Sequence, residues 1–219
     1  MTTYAEIRKN EAIQTYIRQA DQSLAALGFT EHSFAHVTRV ADTAQEILRT
    51  LGHDAHEIEL AGIAGYLHDI GNLVNRVDHS QSGAVMAFRI LDRLNLPAAD
   101  IARIVTAIGN HDEGTGVPVD GLSAALILAD KSDVRRSRVR NRDISSFDIH
   151  DRVNYSVQSS SLNIDDAHTT ITLSLDIDTQ YGSIMDYFEI FLGRMLLCRK
   201  AAKKLGLQFK LSINGQALI

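Results

Sequence analysis

The chain contains one cysteine, Cys198, and no apolar run close to the roughly 18 residues that a membrane span needs. A single cysteine excludes an internal disulfide and fits a reducing compartment. Set in an apolar helical stretch, Cys198 reads as a core residue rather than a nucleophile. The opening "MTTYAEIRKNEAIQTYIRQA" is charged and helical, without a signal peptide's apolar stretch, so the expected location is cytoplasmic, with no membrane partner. Internal repeats, low-complexity linkers and a phosphate-cradling loop of the form GxxxxGKS or GxxxxGKT are also lacking. There is no basic excess either: 22 Lys and Arg stand against 27 Asp and Glu, a formal net charge of -5, so the overall field gives no reason to expect nucleic acid as a partner.

The 219 residues, 45% of them hydrophobic, can build a core for one domain or a domain with a small appendage. Helical spacing runs over residues 4–27 and stops at Gly28. "SFAHVTRVADTAQEILRTLG" follows, with Val37, Val40, Ala41, Ala44, Ile47, Leu48 and Leu51 on one face. Further helices are predicted over 55–68, 82–94, 98–108 and 122–134, separated by breakers such as "NLP" and "EGTGVP". No strand is expected before residue 150. Beyond it, "VNYSVQSSSLNI" and "TTITLSLDID" read as strands joined by a turn at "DDAH". Residues 183–205 return to helical spacing, and "LQFKLSI" supplies a third strand. The expected fold is mainly α: a helical part over 1–150 and an α+β unit over 151–219, a short antiparallel sheet plus one long helix, packed on it.

Within "AGIAGYLHDIGN", His68 stands beside Asp69 after a run of small and apolar residues. Two such groups are costly to bury without a partner. On a helix they point about 100° apart, so both can reach one ion near its end. For an isolated "HD", a self-satisfied His–carboxylate pair is the favoured reading. The wider pattern decides between them. His36 lies in "HVTRV", His79 in "HSQSGA", His111 in "IGNHDEG", and Asp130 closes "AALILAD", each polar group adjoining an apolar helical run. Singly, His79 or Asp130 could cap a helix and His111 could sit in a surface loop.

Together, in this order, they resemble the HD-domain metal-dependent phosphohydrolase superfamily over roughly the first two-thirds of the chain. The segments around His79 and His111 are similar to those of two-metal members, among them bacterial hydrolases of symmetrical diadenosine tetraphosphate. The resemblance implies an HD-domain helical bundle in which His36, His68, Asp69 and Asp130 hold one ion and His79 and His111 a second, with Asp69 bridging. It also implies two divalent transition ions, iron first, with manganese, cobalt or zinc suited to the same donors. The expected chemistry is hydrolysis of a nucleotide or other small phosphoester by metal-activated hydroxide, with Asp69 in the catalytic set.

Immediately after Asp130, "KSDVRRSRVRNR" offers cations for a phosphate. Lys131 is expected both to bind substrate and to assist catalysis, by neutralising developing charge or protonating the leaving group, and Arg135 and Arg136 to grip phosphate oxygens. A solvated helix end reads the same residues as structural. Asn72 stands where the "HDIG" cyclic-dinucleotide phosphodiesterases carry Lys, and their "GYP" element is absent, which argues against cyclic di-GMP as substrate; nor does Asn72 supply a general base. His32, His53, His56, His150 and His168 lack motif support and read as surface or capping residues. Two other classes share the ligand set: an HD-fold di-iron oxygenase, and a regulatory or binding module that retains metal. A homo-oligomer stays open.

Overall fold

Asn10 divides the first helical run. In the computed structural model, which describes residues 2–218, α1 (Tyr4–Lys9) is capped by Thr3 and ends at Asn10. The Asn10 side chain accepts hydrogen bonds from the backbone N–H groups of Ala12 and Ile13 and so starts α2 (Glu11–Ala26). The single helix expected over 4–27 is therefore two, because a short amide side chain satisfies the free N–H groups of a new helix start.

Ser33 caps α3 (Phe34–Thr50), and its predicted apolar face is buried from Val37 to Leu48. α4 (Ala55–Leu67) is buried on every side from Leu60 to Leu67, and α7 (Gly121–Ser132) from Leu122 to Lys131. Helices apolar all round lie in the middle of a bundle. α5 (His79–Arg93) and α6 (Ala98–Gly109) pack against each other beside them. α5 begins three residues before its predicted start, after Asp78 in a left-handed conformation with φ 56°, so His79 belongs to the first turn of a helix.

The C-terminal pattern holds with two corrections. "VNYS" is not strand: Asp148 caps α8 (Ile149–Ser156) by accepting from Asp151 N–H, and β1 (Val157–Ile164) starts after it. β1 pairs antiparallel with β2 (Thr170–Ile177), Leu162 opposite Leu173 and Ile164 opposite Ile171, across the expected turn. α9 (Ile184–Lys204) then crosses over, and β3 (Gln208–Ile213) joins β2 in parallel, with Leu173 opposite Leu211. The sheet, completed by β4 (Gln216–Ala217), is mixed rather than antiparallel, because a 21-residue helix between two strands is the crossover that parallel pairing requires. Ile171, Leu173, Leu175 and Ile177 bury one sheet face and merge with the helical core, as do Tyr187, Phe191 and Cys198 of α9. No helix among the described residues is long and apolar enough to cross a membrane.

Two glycines set the approach of backbones around "HDIG". A Cβ on Gly65 would lie 2.6 Å from Ala41 Cα, so α3 and α4 meet only because that atom is missing. A Cβ on Gly71, in the short 3-10 turn Ile70–Leu73, would lie 2.0 Å from the His79 carbonyl oxygen and 2.4 Å from Gly83 N. Backbone on both sides leaves no flexible group to yield. Gly71→Ala is expected to destabilise the fold by about 1–3 kcal/mol, the usual cost of overpacking, and to displace α5 with His79. Urea unfolding compared with wild type checks this; an unchanged midpoint would mean that the turn and α5 are free to separate.

Candidate metal centre

Six sequence-predicted groups come together where helix ends converge. His36 sits in the first turn of α3, His68 and Asp69 directly follow α4, His79 opens α5, His111 follows α6, and Asp130 lies in the last turn of α7. All six are buried. Asp69 Oδ2 lies 3.5 Å from His36 Nε2 and 3.4 Å from His68 Nε2, and Asp130 Oδ1 lies 3.4 and 3.6 Å from the same two nitrogens. On its other side, Asp69 Oδ1 lies 3.4 Å from His79 Nε2 and 4.0 Å from His111 Nε2.

The tautomers follow from the outer ring nitrogens. His68 Nδ1 is 2.8 Å from the Gly65 carbonyl, His79 Nδ1 3.1 Å from that of Arg76, and His111 Nδ1 2.6 Å from that of Ile108, while His36 Nδ1 is 2.7 Å from Asp133 Oδ2. Carbonyl and carboxylate oxygens only accept, so each Nδ1 carries the proton and each neutral ring turns a bare Nε2 lone pair inward. His79 Nε2 and His111 Nε2 then face each other at 3.2 Å, lone pair to lone pair. His36 Nε2, His68 Nε2 and Asp69 Oδ2 are buried with no hydrogen-bond partner. These three buried acceptors without a donor call for a cation, while Asn72 donates to Asp69 Oδ1 and Arg76 Nη1 lies 3.3 Å from His79 Nε2. Imidazole nitrogens backed by hydrogen-bonded Nδ1 atoms, together with carboxylate oxygens, form a donor set that fits a transition metal. His36, His68 and Asp130 offer one set of atoms, and His68, Asp69 and His111 another, each within 4.8 Å of one another.

Around the cluster, Asn72 donates its amide to Asp69 Oδ1 at 3.0 Å. Lys131 is buried, with Nζ 2.7 Å from Asp130 Oδ2 and 2.6 Å from Glu113 Oε2, and Arg194 of α9 holds Glu113 Oε1 from Nε at 3.0 Å. Arg135 and Arg136 are engaged elsewhere. Arg135 pairs with Asp133 at 2.8 Å and Glu31 at 3.0 Å. Arg136 donates to the Tyr155 carbonyl and stacks over the rings of Tyr155 and Tyr181. The arginines that line the cleft beside the cluster are instead Arg76, Arg138 and Arg194, and of these Arg138 is committed to the backbone carbonyls of Glu31 and Asp133. His32 and His150 also line that cleft; His53 pairs with Glu57, His56 with Asp100, and His168 sits in the β1–β2 turn at φ 52°. Sequence reasoning missed Asp133, Arg76, Glu113 and Arg194. Only Asp133, one helical turn after Asp130, carried a spacing signal.

Without a cation the cluster takes up protons. Burial opposes charge on His68, but the Asp69 and Asp130 carboxylates outweigh it and raise the ring's pKa to about 10. Burial likewise opposes ionisation of Asp69, yet the charge on His68 and the close approach of the His36 and His68 rings hold its carboxyl well below the usual range. Because the folded pKa of His68 lies above the unfolded value of 6.5, its proton stabilises the fold fully below about pH 6.5, and this contribution is lost as pH rises through about 10. Chelator-treated protein should therefore lose thermal stability between those values, whereas bound metal, which needs the deprotonated ring, should abolish the loss. Melting temperatures across that range with and without metal measure it, and a flat metal-free profile would contradict the proton-for-metal exchange.

The family model for the HD domain matches residues 33–152, more than half of the chain and the stretch that contains all six groups. Uncharacterized protein MJ1020 of Methanocaldococcus jannaschii is 24% identical over 160 residues, a match covering 63% of this chain and 61% of that protein, less than two thirds of the relative's length. A solved structure, of a predicted HD superfamily hydrolase from an uncultured Thermotogales bacterium, shares 28% identity with a TM-score of 0.45, over 57% of this chain and 67% of that one. On the family match, and with the His, His-Asp, Asp order gathered at one buried cluster, the chain belongs to the HD-domain metal-dependent phosphohydrolase superfamily.

Proposed function

We propose that the chain hydrolyses a small phosphorylated compound, a nucleotide or similar phosphoester, with two transition ions held by His36, His68, Asp69, His79, His111 and Asp130. The observation that carries this reading is the division of Asp69: Oδ2 faces His36 and His68, whereas Oδ1 faces His79 and His111. One carboxylate with an imidazole pair on each oxygen suits a bridge between two ions. Iron is the first candidate by family resemblance, and manganese, cobalt or zinc fit the same donors. When bound, two such ions polarise a phosphoryl oxygen and activate water near neutral pH.

The chain's own residues hold that centre in place. Asn72 fixes the rotation of Asp69 through its hydrogen bond to Oδ1. Lys131, between Asp130 and Glu113, neutralises carboxylate charge next to the ligands. Burial opposes its charge, but the two carboxylates more than offset this and raise its pKa above that of free lysine. A lysine held so firmly in its charged form is a poor proton donor at neutral pH, so of its two expected roles charge neutralisation is favoured.

Elemental analysis of protein purified without chelator should approach two transition ions per chain. Asp69→Ala should lose both, since neutral imidazoles cannot offset two cations, and His79→Ala or His111→Ala should lose one. One ion in wild type, unaffected by either histidine change, would sink the two-metal assignment. For the reaction, release of orthophosphate from a panel of nucleotides and phosphoesters should proceed anaerobically. Turnover that requires oxygen and a reduced iron pair would move the chain to the oxygenase class.

A further inference from the structure

A cleft of about 240 Å³ opens beside the metal centre, between the segment after α2 and helices α8 and α9. Two of its lining residues contact the clustered groups, and a third reaches them through Lys131. Arg76 Nη1 lies 3.3 Å from His79 Nε2, Glu113 shares Lys131 with Asp130, and the His32 ring stacks edge-on against His36 at 5.5 Å. Asp151 and Asn154 of α8 line the same cleft and touch none of the six clustered groups. We propose that this cleft binds the organic part of the phosphorylated substrate, a hydroxyl-bearing group of sugar size, while Arg76 and Arg194 hold the phosphate between it and the metal centre. The proposal rests on the phosphohydrolase reading.

Charge and hydrogen-bonding capacity orient such a ligand. Arg76 is half-buried and has no carboxylate partner among the described residues. A half-buried guanidinium without a counter-ion is matched by an arriving anion, which it can grip through two nitrogens. Arg194 commits only Nε to Glu113, and no protein acceptor among the described residues takes its two terminal nitrogens.

The α8 side offers the opposite chemistry. Asn154 spends its amide N–H on the His150 carbonyl, which leaves its oxygen to accept, and Asp148 and Asp151 add carboxylates. His32 donates from Nδ1 to the Thr30 carbonyl, so its Nε2 accepts as well. A phosphate is repelled from that side, and a group rich in O–H donors is held there. A cleft of about 240 Å³ has room for a sugar-sized group.

The test uses metal-loaded protein and two esters, ribose 5-phosphate and p-nitrophenyl phosphate, the second lacking hydroxyl donors. Asn154→Ala should raise KM for ribose 5-phosphate about tenfold relative to p-nitrophenyl phosphate. Arg76→Ala should raise KM about tenfold for both esters with metal content per chain unchanged, and Arg76→Lys should recover part of the loss. A ribonucleoside 5′-phosphate with KM below that of ribose 5-phosphate would identify the organic group as a nucleoside, and the reverse order as a sugar. Equal effects of Asn154→Ala on both esters, or no effect of Arg76→Ala, would overturn the cleft assignment while leaving the hydrolase reading intact. If wild type hydrolyses neither ester nor any member of the nucleotide and phosphoester panel, the hydrolase reading fails instead. Calorimetric binding of ribose 5-phosphate to the same variants then decides the cleft: affinity lost with Asn154→Ala and Arg76→Ala supports it, and no binding to wild type refutes it.

Discussion

Four imidazole rings, each fixed by a hydrogen bond from Nδ1 to an atom that can only accept, are the constraint on which this structure depends. Once the outer proton is committed, the inner nitrogen has no choice of role, and four lone pairs meet two carboxylates in a buried space. The surrounding charges leave one of those carboxylates uncompensated. Asp130 and Glu113 are balanced by Lys131 and Arg194, and Asp133 and Glu31 by Arg135 and Arg138. Asp69 meets four imidazoles and the neutral Asn72 amide, and has no Lys or Arg partner among the described residues. Electronegative excess is therefore concentrated at the residue that stands between the two pairs of rings, where a cation gains most.

The backbone supplies this constraint cheaply. His68, His79 and His111 each donate to the carbonyl three residues earlier, those of Gly65, Arg76 and Ile108. Gly65 and Ile108 lie in the final turns of α4 and α6, where helical carbonyls run out of intrahelical partners. An imidazole placed just past such an end satisfies an orphan carbonyl and is oriented by the same bond. His36 departs from this pattern because it sits at a helix start, where N–H groups rather than carbonyls are exposed. Its outer nitrogen relies instead on Asp133, brought in from the end of α7 and anchored by Arg135 and Arg138.

Much of this was legible in the sequence. Apolar periodicity located the helices of the bundle, and the order of His36, His68, Asp69, His79, His111 and Asp130 picked out residues that the fold gathers in one place. What the pattern could not carry is instructive. Asn10 has the spacing of a helical residue, and only its competing side-chain hydrogen bonds break the run. The parallel pairing of β3 lay open in the strand–helix–strand order, but alternation along a strand is the same for either direction of pairing. Arg135 and Arg136 read as phosphate ligands because charge is visible in a sequence and partners are not. Their partners are Asp133, Glu31 and the tyrosine pair, Glu31 about a hundred residues away. Arg76 and Arg194 carried no local signal, since what distinguishes them is the ion pairs their terminal nitrogens lack.

The C-terminal helix is tied to the metal centre by a chain of contacts that leaves little room for it to be an independent appendage. Arg194 holds Glu113, Glu113 holds Lys131, and Lys131 holds Asp130, which faces His36 and His68. Each link is an ion pair with at least one partner largely withdrawn from water. Removing one member of such a chain strands the next charge, and the cost of an uncompensated buried charge is several times that of a surface pair. Arg194 on α9 thus stands two ion pairs away from Asp130, through Glu113 and Lys131. The packing of Phe191 and Cys198 into the common core fixes where on α9 that arginine can stand. The segment foreign to a minimal HD domain thus contributes Arg194 to the ion-pair chain and to one wall of the cleft, and the strands flanking α9 share its core.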